Sequence, residues 1–406
     1  MNKSEILNKL LNTNYIFSGR ISIDSRDIES GDIFFAINKG NEYIKEAIDK
    51  NAFVVYDKKS DIEYKNALYV KDTVSFMQEL AREYRKYLKA VVIAITGSNG
   101  KTTTKDILAS LLSAYKTSGN YNNHIGLPYT LLNADLDSKY IVLELGMSHV
   151  GEIDLLASIC KPDYSIIVNI GDSHIEFLKT RQKIFEAKSE IIKHTKNKVV
   201  VNNEDEYLTQ LSGNNILKVN TKDVLIDDLG TSFFYNNKKY HINLYGKHNA
   251  INASLCIEVL NQLNVKVDLE KLNNLKISKM RFEIVKKDEN IYINDSYNAA
   301  PKSMECSLLS LNEIFKDKEK VLILADMLEL GENEVKYHKD LKNILEKITY
   351  KKLYLYGPLM SNIDISATKT NDLLSIKKEI SMLKDKVIFL KGSRGMRLEK
   401  IMESDK

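Results

Sequence analysis

Residues 91–108 read VVIAITGSNGKTTTKDIL, and the fold turns on how that stretch is parsed. The apolar run Val91–Ile95 ends at Thr96-Gly97-Ser98-Asn99-Gly100-Lys101-Thr102, and helical sequence follows. A buried strand, a glycine-bearing turn and a helix, in that order, are the opening unit of a doubly wound α/β sheet. Amides at the start of such a helix point outward unpaired, and the helix dipole favours an anion there. Gly97 and Gly100 let the backbone turn tightly and approach phosphate oxygens. Lys101 is then placed to bridge β- and γ-phosphates, and the Thr102 hydroxyl to bind Mg²⁺. A motor-type phosphate loop asks for Gly at position 95, where Ile stands. The same residues also read as the plain glycine turn that every doubly wound sheet possesses.

Working outward, the strand–loop–helix pattern repeats. The runs YIVLELG, YSIIVNIG and KVVVNN predict further buried parallel strands, and residues 223–240 predict a small antiparallel insertion. Upstream, DIFFAI, AFVVYD and ALYVK predict short strands. KEAIDKN and TVSFMQELAREYRKYLK predict helices, the second with Val74, Met77, Leu80, Ala81, Tyr84 and Leu88 on its apolar face. Downstream, IYINDSY, KVLILAD, KLYLYG and KVIFLKGS predict another α/β set. The expected architecture is therefore α/β in three domains. A small α/β N-terminal domain spans 1–88, a central parallel-sheet ATPase-type domain 89–278, and a Rossmann-like α/β domain 279–406.

Composition narrows the function. The 406 residues exceed one ordinary domain, and a net charge of +4 over such a length points to neither nucleic acid nor membrane. The sparse cysteines Cys160, Cys256 and Cys306 fit small buried residues in a reducing compartment. The N-terminus lacks a signal-peptide core, and no apolar run reaches the ~18 residues of a membrane span, so a soluble cytoplasmic protein is expected.

Chemistry-bearing residues cluster after the central strands. Glu144 ends one strand, where a carboxylate is costly unless it binds metal or is paired. It reads either as a Mg²⁺ ligand with Thr102 or as half of a buried ion pair. His174 reads as a ligand of a second ion or as a surface loop residue. Lys188, on the following helix, reads by itself as an ordinary solvated lysine.

Taken together, TGSNGKTTT, GNYNNHIGLPYTLL, ELGMSHVGEI, YGKHNAINA, NDSYNAAPKSM, ADMLELG and KGSRGMRLE resemble the Mur ligases, in the family's order and over nearly the whole chain. The family's own loop has a Thr-Gly-Ser/Thr-Asn-Gly-Lys-Ser/Thr form, which makes Ile95 expected. The resemblance implies a three-domain ATP-dependent ligase that activates a carboxylate as an acyl phosphate. DSYNAAP and MLELG favour the branch that adds D-alanyl-D-alanine to a UDP-linked muramoyl tripeptide in peptidoglycan precursor synthesis. Ligases adding a single amino acid, or folylpolyglutamate-synthase-like ligases, are the alternatives.

The resemblance also assigns roles. It implies ATP phosphate contacts from Gly97, Ser98, Asn99, Gly100, Lys101, Thr102 and the adjoining Thr103. Two Mg²⁺ ions are implied, the first on Thr102 and Glu144, the second near His174 and Lys188. In several members the lysine matching Lys188 is carbamylated. His248, Asn249 and Asn252 match the adenine side, and Arg281, Asp295, Tyr297 and Asn298 match residues that close on ATP. Asn122, Asn123 and His124, with Ser148 and His149 beside them, match the muramoyl side, and Ser25 and Arg26 the uridine side. Lys391, Ser393 and Arg394 could meet substrate carboxylates, though loop basicity alone predicts solvent exposure. Ala300 and Ala325 stand where the family often has Asn and Gly. The implied protein is a monomer acting on small molecules.

Overall fold

The computed structural model describes residues 1–59, 64–173, 175–227 and 229–403. Four sheets carry the chain, and each is built from a contiguous stretch of it. The first is parallel: β1 (Ile21–Ser22), β2 (Ile33–Phe35), β3 (Phe53–Tyr56) and β4 (Ala67–Tyr69), side by side in that order.

The central sheet holds β5 (Val91–Thr96), β6 (Tyr115–Lys116), β7 (Tyr140–Glu144), β8 (Tyr164–Ile167), β9 (Lys198–Asn202) and β10 (Ile216–Val219). All pairings are parallel, in the order β10-β9-β8-β5-β7-β6. Chain order reverses at β5, which has β7 on one side and β8 on the other. A crevice therefore opens beyond the carboxyl ends of these three strands, the place where doubly wound sheets take ligands. Every residue of β7 is buried, as is all of β5 except Val91, which explains their unbroken apolar runs. The two edge strands β6 and β10 were not expected from sequence; they are short and only partly buried.

A three-stranded antiparallel sheet follows: β11 (Lys222–Asp227), β12 (Gly230–Tyr235) and β13 (Lys238–Ile242), packed on the helix Lys247–Gln262. The last sheet holds β14 (Glu283–Lys287), β15 (Asn290–Asn294), β16 (Lys320–Ala325), β17 (Lys352–Tyr356), β18 (Thr368–Thr370) and β19 (Val387–Lys391). Its order is β14-β15-β19-β16-β17-β18, parallel except for the antiparallel edge strand β14. A second switch point lies where β19 enters between β15 and β16, so the segments after these three strands face one crevice.

The first two sheets share a core. The helix Thr73–Arg85 packs on the helices Gly126–Asn133 and Glu152–Cys160, and one apolar cluster runs from Ile6 to Leu208. Met77, Leu80, Ala81, Tyr84 and Leu88 are buried as the periodicity predicts, while Thr73 is more deeply placed than Val74. The first sheet ends at Tyr69 and the second begins at Val91, yet one continuous core serves both. Cys160 and Cys256 are buried, but Cys306 is half-buried and faces the cleft, contrary to the expectation for a small core residue. Among the described residues no helix is long and apolar enough to cross a membrane.

The Tyr84 hydroxyl donates 3.0 Å to the Ala134 carbonyl inside that shared core. Tyr84→Phe should lower stability by about 1–2 kcal/mol by leaving a buried acceptor short of its partner. Equilibrium denaturation checks this, and an unchanged midpoint would show that the contact adds nothing.

Candidate active site

The helix Lys101–Leu112 begins at Gly100, whose φ of +79° lies in the left-handed region, and no side chain caps it. An added Cβ there would sit 3.1 Å from the Asn252 side-chain oxygen, so Gly100 permits both the turn and the close approach of Asn252. Among the described residues the amides of Gly100, Lys101, Thr102 and Thr103 donate to no protein acceptor. Four unpaired donors at the positive end of a helix form an anion cradle. Lys101 Nζ turns back onto the carbonyls of Gly97 (2.8 Å) and Ser98 (3.3 Å). Burial pushes its ammonium below the usual lysine range; Glu144 opposes the shift and Arg281 reinforces it.

The loop is held from outside. Ser98 N–H donates to the Asn169 carbonyl, and the Asn99 N–H donates 2.9 Å to Asn169 Oδ1. Asn169 Nδ2 donates back to the Asn99 carbonyl at 3.1 Å. Ser98 Oγ accepts from Gly171 N–H at 2.8 Å. Pairing of β5 with β8 sets Thr96 opposite Ile167, which brings these two turns together. Asn169 was missed from sequence; its signal was its place just past the strand beside the loop-bearing strand.

Glu144, 3% exposed, ends β7 across from this loop. Its Oε2 accepts from Thr102 Oγ1 at 3.0 Å, and its Oε1 from Asn122 Nδ2 at 2.9 Å. The buried Lys105 lies 3.8 Å from Oε2 and 3.7 Å from Asp106. Glu144 thus has an ion-pair partner in Lys105, and it also presents oxygen beside the Thr102 hydroxyl. Hard oxygens next to a phosphate cradle suit Mg²⁺, which binds through few protein ligands plus phosphate and water. Lys105 was also missed, because its helical position gives no hint of burial.

Lys188, which helix position alone would leave in solvent, is 1% exposed. Burial, and then the nearby Lys101 cation, drive its ammonium far below the ordinary lysine range. Among the described residues its nitrogen has no hydrogen bond or ion pair. His174 lies outside the described residues.

From the segment leading into the last sheet, Arg281 reaches back to the loop. Its Nη2 donates 3.2 Å to Thr102 Oγ1, and its guanidinium lies 3.9 Å over the Tyr297 ring. Asp295 accepts from Lys391 Nζ (2.6 Å), Ser307 Oγ (2.6 Å) and Phe282 N–H (3.1 Å). Lys391 is thus buried and committed to Asp295, not exposed as its loop suggested. Ser393 is buried too, its Oγ accepting from Leu328 N–H, whereas Arg394 is exposed beside Glu399. His248 borders the same space; burial pushes its imidazole down to about 4, against Asp295 and with Lys391. Asn249 and Asn252 join each other and Tyr245 on the helix above the loop.

These groups line one cleft of about 1060 Å³ between the central and last sheets. Ser98 to Thr103, Glu144, Arg281, Asp295, Tyr297 and Asn298 all face it. Asn122, Asn123, His124 and Ser148 form one rim, and Lys391, Ser393 and Arg394 another. Gly97, Lys188 and His149 lie outside the lining; His149 is exposed against Phe177. Ser25 and Arg26 are also apart, on the first sheet, where the 85% exposed Arg26 side chain pairs with Asp24. The cleft wall at Met327–Glu329 is set by His338, a residue with no sequence signal. Its Nδ1 donates to the Glu334 carbonyl (2.6 Å), and its Nε2 accepts from Met327 N–H (2.9 Å).

Comparison with known proteins agrees with this layout. Residues 95–260 match the Mur ligase middle domain, and residues 280–394 the Mur ligase glutamate ligase domain. The chain is 34% identical to the UDP-N-acetylmuramoyl-tripeptide–D-alanyl-D-alanine ligase of Bacillus subtilis, over 94% of this chain and 92% of that protein. It is 32% identical to the enzyme of that name from Rickettsia prowazekii, over 96% of each. Among solved structures, the MurF ligase of Thermotoga maritima in complex with ADP superposes with a TM-score of 0.86 at 28% identity, over 94% of this chain and 96% of that one.

Asn169→Ala should weaken binding of an ATP analogue about tenfold while the protein stays folded, because the loop loses both side-chain staples. Isothermal titration with paired melting curves tests this; unchanged affinity would remove Asn169 from the site.

Proposed function

This chain belongs to the Mur ligase family, and on that premise we propose that it joins D-alanyl-D-alanine to UDP-N-acetylmuramoyl-tripeptide, converting ATP to ADP and phosphate. The reaction serves peptidoglycan precursor synthesis. The observation that carries this reading is the uncapped helix of four free amides facing the Thr102–Glu144 pair, in a cleft that Arg281 reaches from the linker before the last sheet.

The chemistry follows from the difficulty of the step. A carboxylate is a poor electrophile and must gain a leaving group. An oxygen of the tripeptide carboxylate attacks the γ-phosphorus, the bond to ADP breaks, and an acyl phosphate forms. The amine of D-alanyl-D-alanine then attacks the acyl carbon. The tetrahedral intermediate expels phosphate, and the amine loses a proton. Charge on the transferring phosphoryl oxygens is met by the amides of Gly100–Thr103, Lys101 and Arg281. Thr102 and Glu144 would hold Mg²⁺, which when bound neutralises phosphate charge.

Further assignments extend this reading. Lys188 as a carbamate would turn a cation into an oxygen ligand for a second ion, and the family resemblance puts His174 with it. Asn122, Asn123, His124 and Ser148 take the muramoyl side, with Ser25 and Arg26 on the uridine side. His248, Asn249 and Asn252 take the adenosine side. Arg394, an exposed cation at the cleft rim, takes the dipeptide carboxylate. The enzyme works as a cytoplasmic monomer without nucleic-acid or membrane partners.

Phosphate release should require ATP, the UDP-linked tripeptide and D-alanyl-D-alanine together. Equal turnover with a single free amino acid would overturn the dipeptide assignment. Lys101→Ala should lower ligation at least about 100-fold, and near-normal ligation by that variant would sink the phosphate-loop assignment. With ¹³C-bicarbonate, the wild type should give a carbamate carbon resonance that Lys188→Ala lacks. Identical spectra would leave Lys188 a plain buried amine.

A further inference from the structure

The segment joining the central sheet to the last one has an unusual backbone. Met280 (φ +59°) and Phe282 (φ +56°) both sit in the left-handed region that bulky L-residues avoid, and Arg281 lies between them. Such a conformation persists only where its surroundings hold it. Downstream, Met280 N–H donates to Glu283 Oε2 (3.0 Å) and Phe282 N–H to Asp295 Oδ1 (3.1 Å). Upstream, Asn243 grips the Leu275 amide and carbonyl. Asp106 Oδ2 then accepts both the Ser278 N–H (2.8 Å) and the Ser278 Oγ–H (2.7 Å). Among the described residues this is the last hydrogen bond from the central part to the segment's backbone before Arg281.

Asp106 is 1% exposed and lies one helical turn after Thr102, on the same face. Its other oxygen takes Lys116 Nζ at 2.6 Å, and Lys105 stands 3.7 Å away. Two rungs therefore join helix and linker in register: Asp106 to Ser278, and Thr102 to Arg281 three residues further on. The second rung ends at the phosphate cradle. Its Arg281 Nε is buried without a partner, so the guanidinium is not fully satisfied by protein groups.

We propose that Asp106 is a positioning residue: by clamping Ser278 it fixes the strained turn that presents Arg281 to the transferring phosphoryl group. The proposal rests on the ligase reading above. It separates two tasks within one helix, Thr102 at the chemistry and Asp106 at the joint that delivers the arginine. Without the clamp the backbone of the turn is held only from the last sheet, and the single Thr102 bond is left to keep Arg281 on the loop.

A double-mutant cycle tests this. Asp106→Asn should lower kcat about tenfold, with KM for D-alanyl-D-alanine within about twofold of wild type. In an Arg281→Ala background the same substitution should change kcat by less than about twofold, since the residue it acts through is gone. Equal losses in both backgrounds, or a loss confined to the dipeptide KM, would overturn the role. Ser278→Ala, which keeps the main-chain bond, should show the same pattern at about threefold, so the test stands if Asp106→Asn melts early. A wild-type enzyme that makes no ligated product would defeat the ligase reading. One that ligates but gives an additive cycle would defeat this inference alone.

Discussion

One buried carboxylate organises the cleft. Glu144 ends an apolar strand where an unpaired charge would be prohibitively costly, so its surroundings must supply partners. Thr102 comes from the helix after β5, Asn122 from the loop after β6, and Lys105 from one turn along that same helix. Each partner is tied in turn to something further out. Asn122 leads to the rim it forms with Asn123 and His124, Thr102 to Arg281 just before the last sheet, and Lys105 to Asp106 and the linker. The carboxylate that satisfies the fold is thus the one that fixes the relative places of loop, rim and closing arginine.

Around it the charges do not balance. Lys101 has Arg281 and Glu144 in its field, Lys105 stands between Glu144 and Asp106, and the strong downward shift at Lys188 follows from burial beside Lys101. Neighbouring cations repel one another, and an anion brought between them relieves that repulsion. Polyphosphate at the cradle does this.

The doubly wound architecture was legible in the sequence because parallel strands buried on both faces leave unbroken apolar runs, and the site residues follow those runs. β6, β10, β14 and β18 escaped because edge strands need no such runs. Glu144 and Thr102 could be placed from their positions at a strand end and a helix start. Lys105, Asp106, Asn169 and His338 could not, because their roles depend on which turns and helices meet in space. Lys391 was misjudged for the same reason: a basic residue before a glycine loop looks exposed until Asp295 is placed beside it. Ala325, where the family often has Gly, is accommodated because its neighbour is Gly392; a Cβ there would lie 2.5 Å from that of Ala325.

The central claim is that the cleft activates a carboxylate by phosphorylation before the amine attacks. The most direct measurement uses tripeptide substrate labelled with ¹⁸O in its terminal carboxylate, followed by mass spectrometry of the released phosphate. Transfer of one ¹⁸O per phosphate is the predicted result, because the carboxylate oxygen leaves with phosphorus when the acyl phosphate is opened. Phosphate free of label, with ligation proceeding normally, would contradict the account.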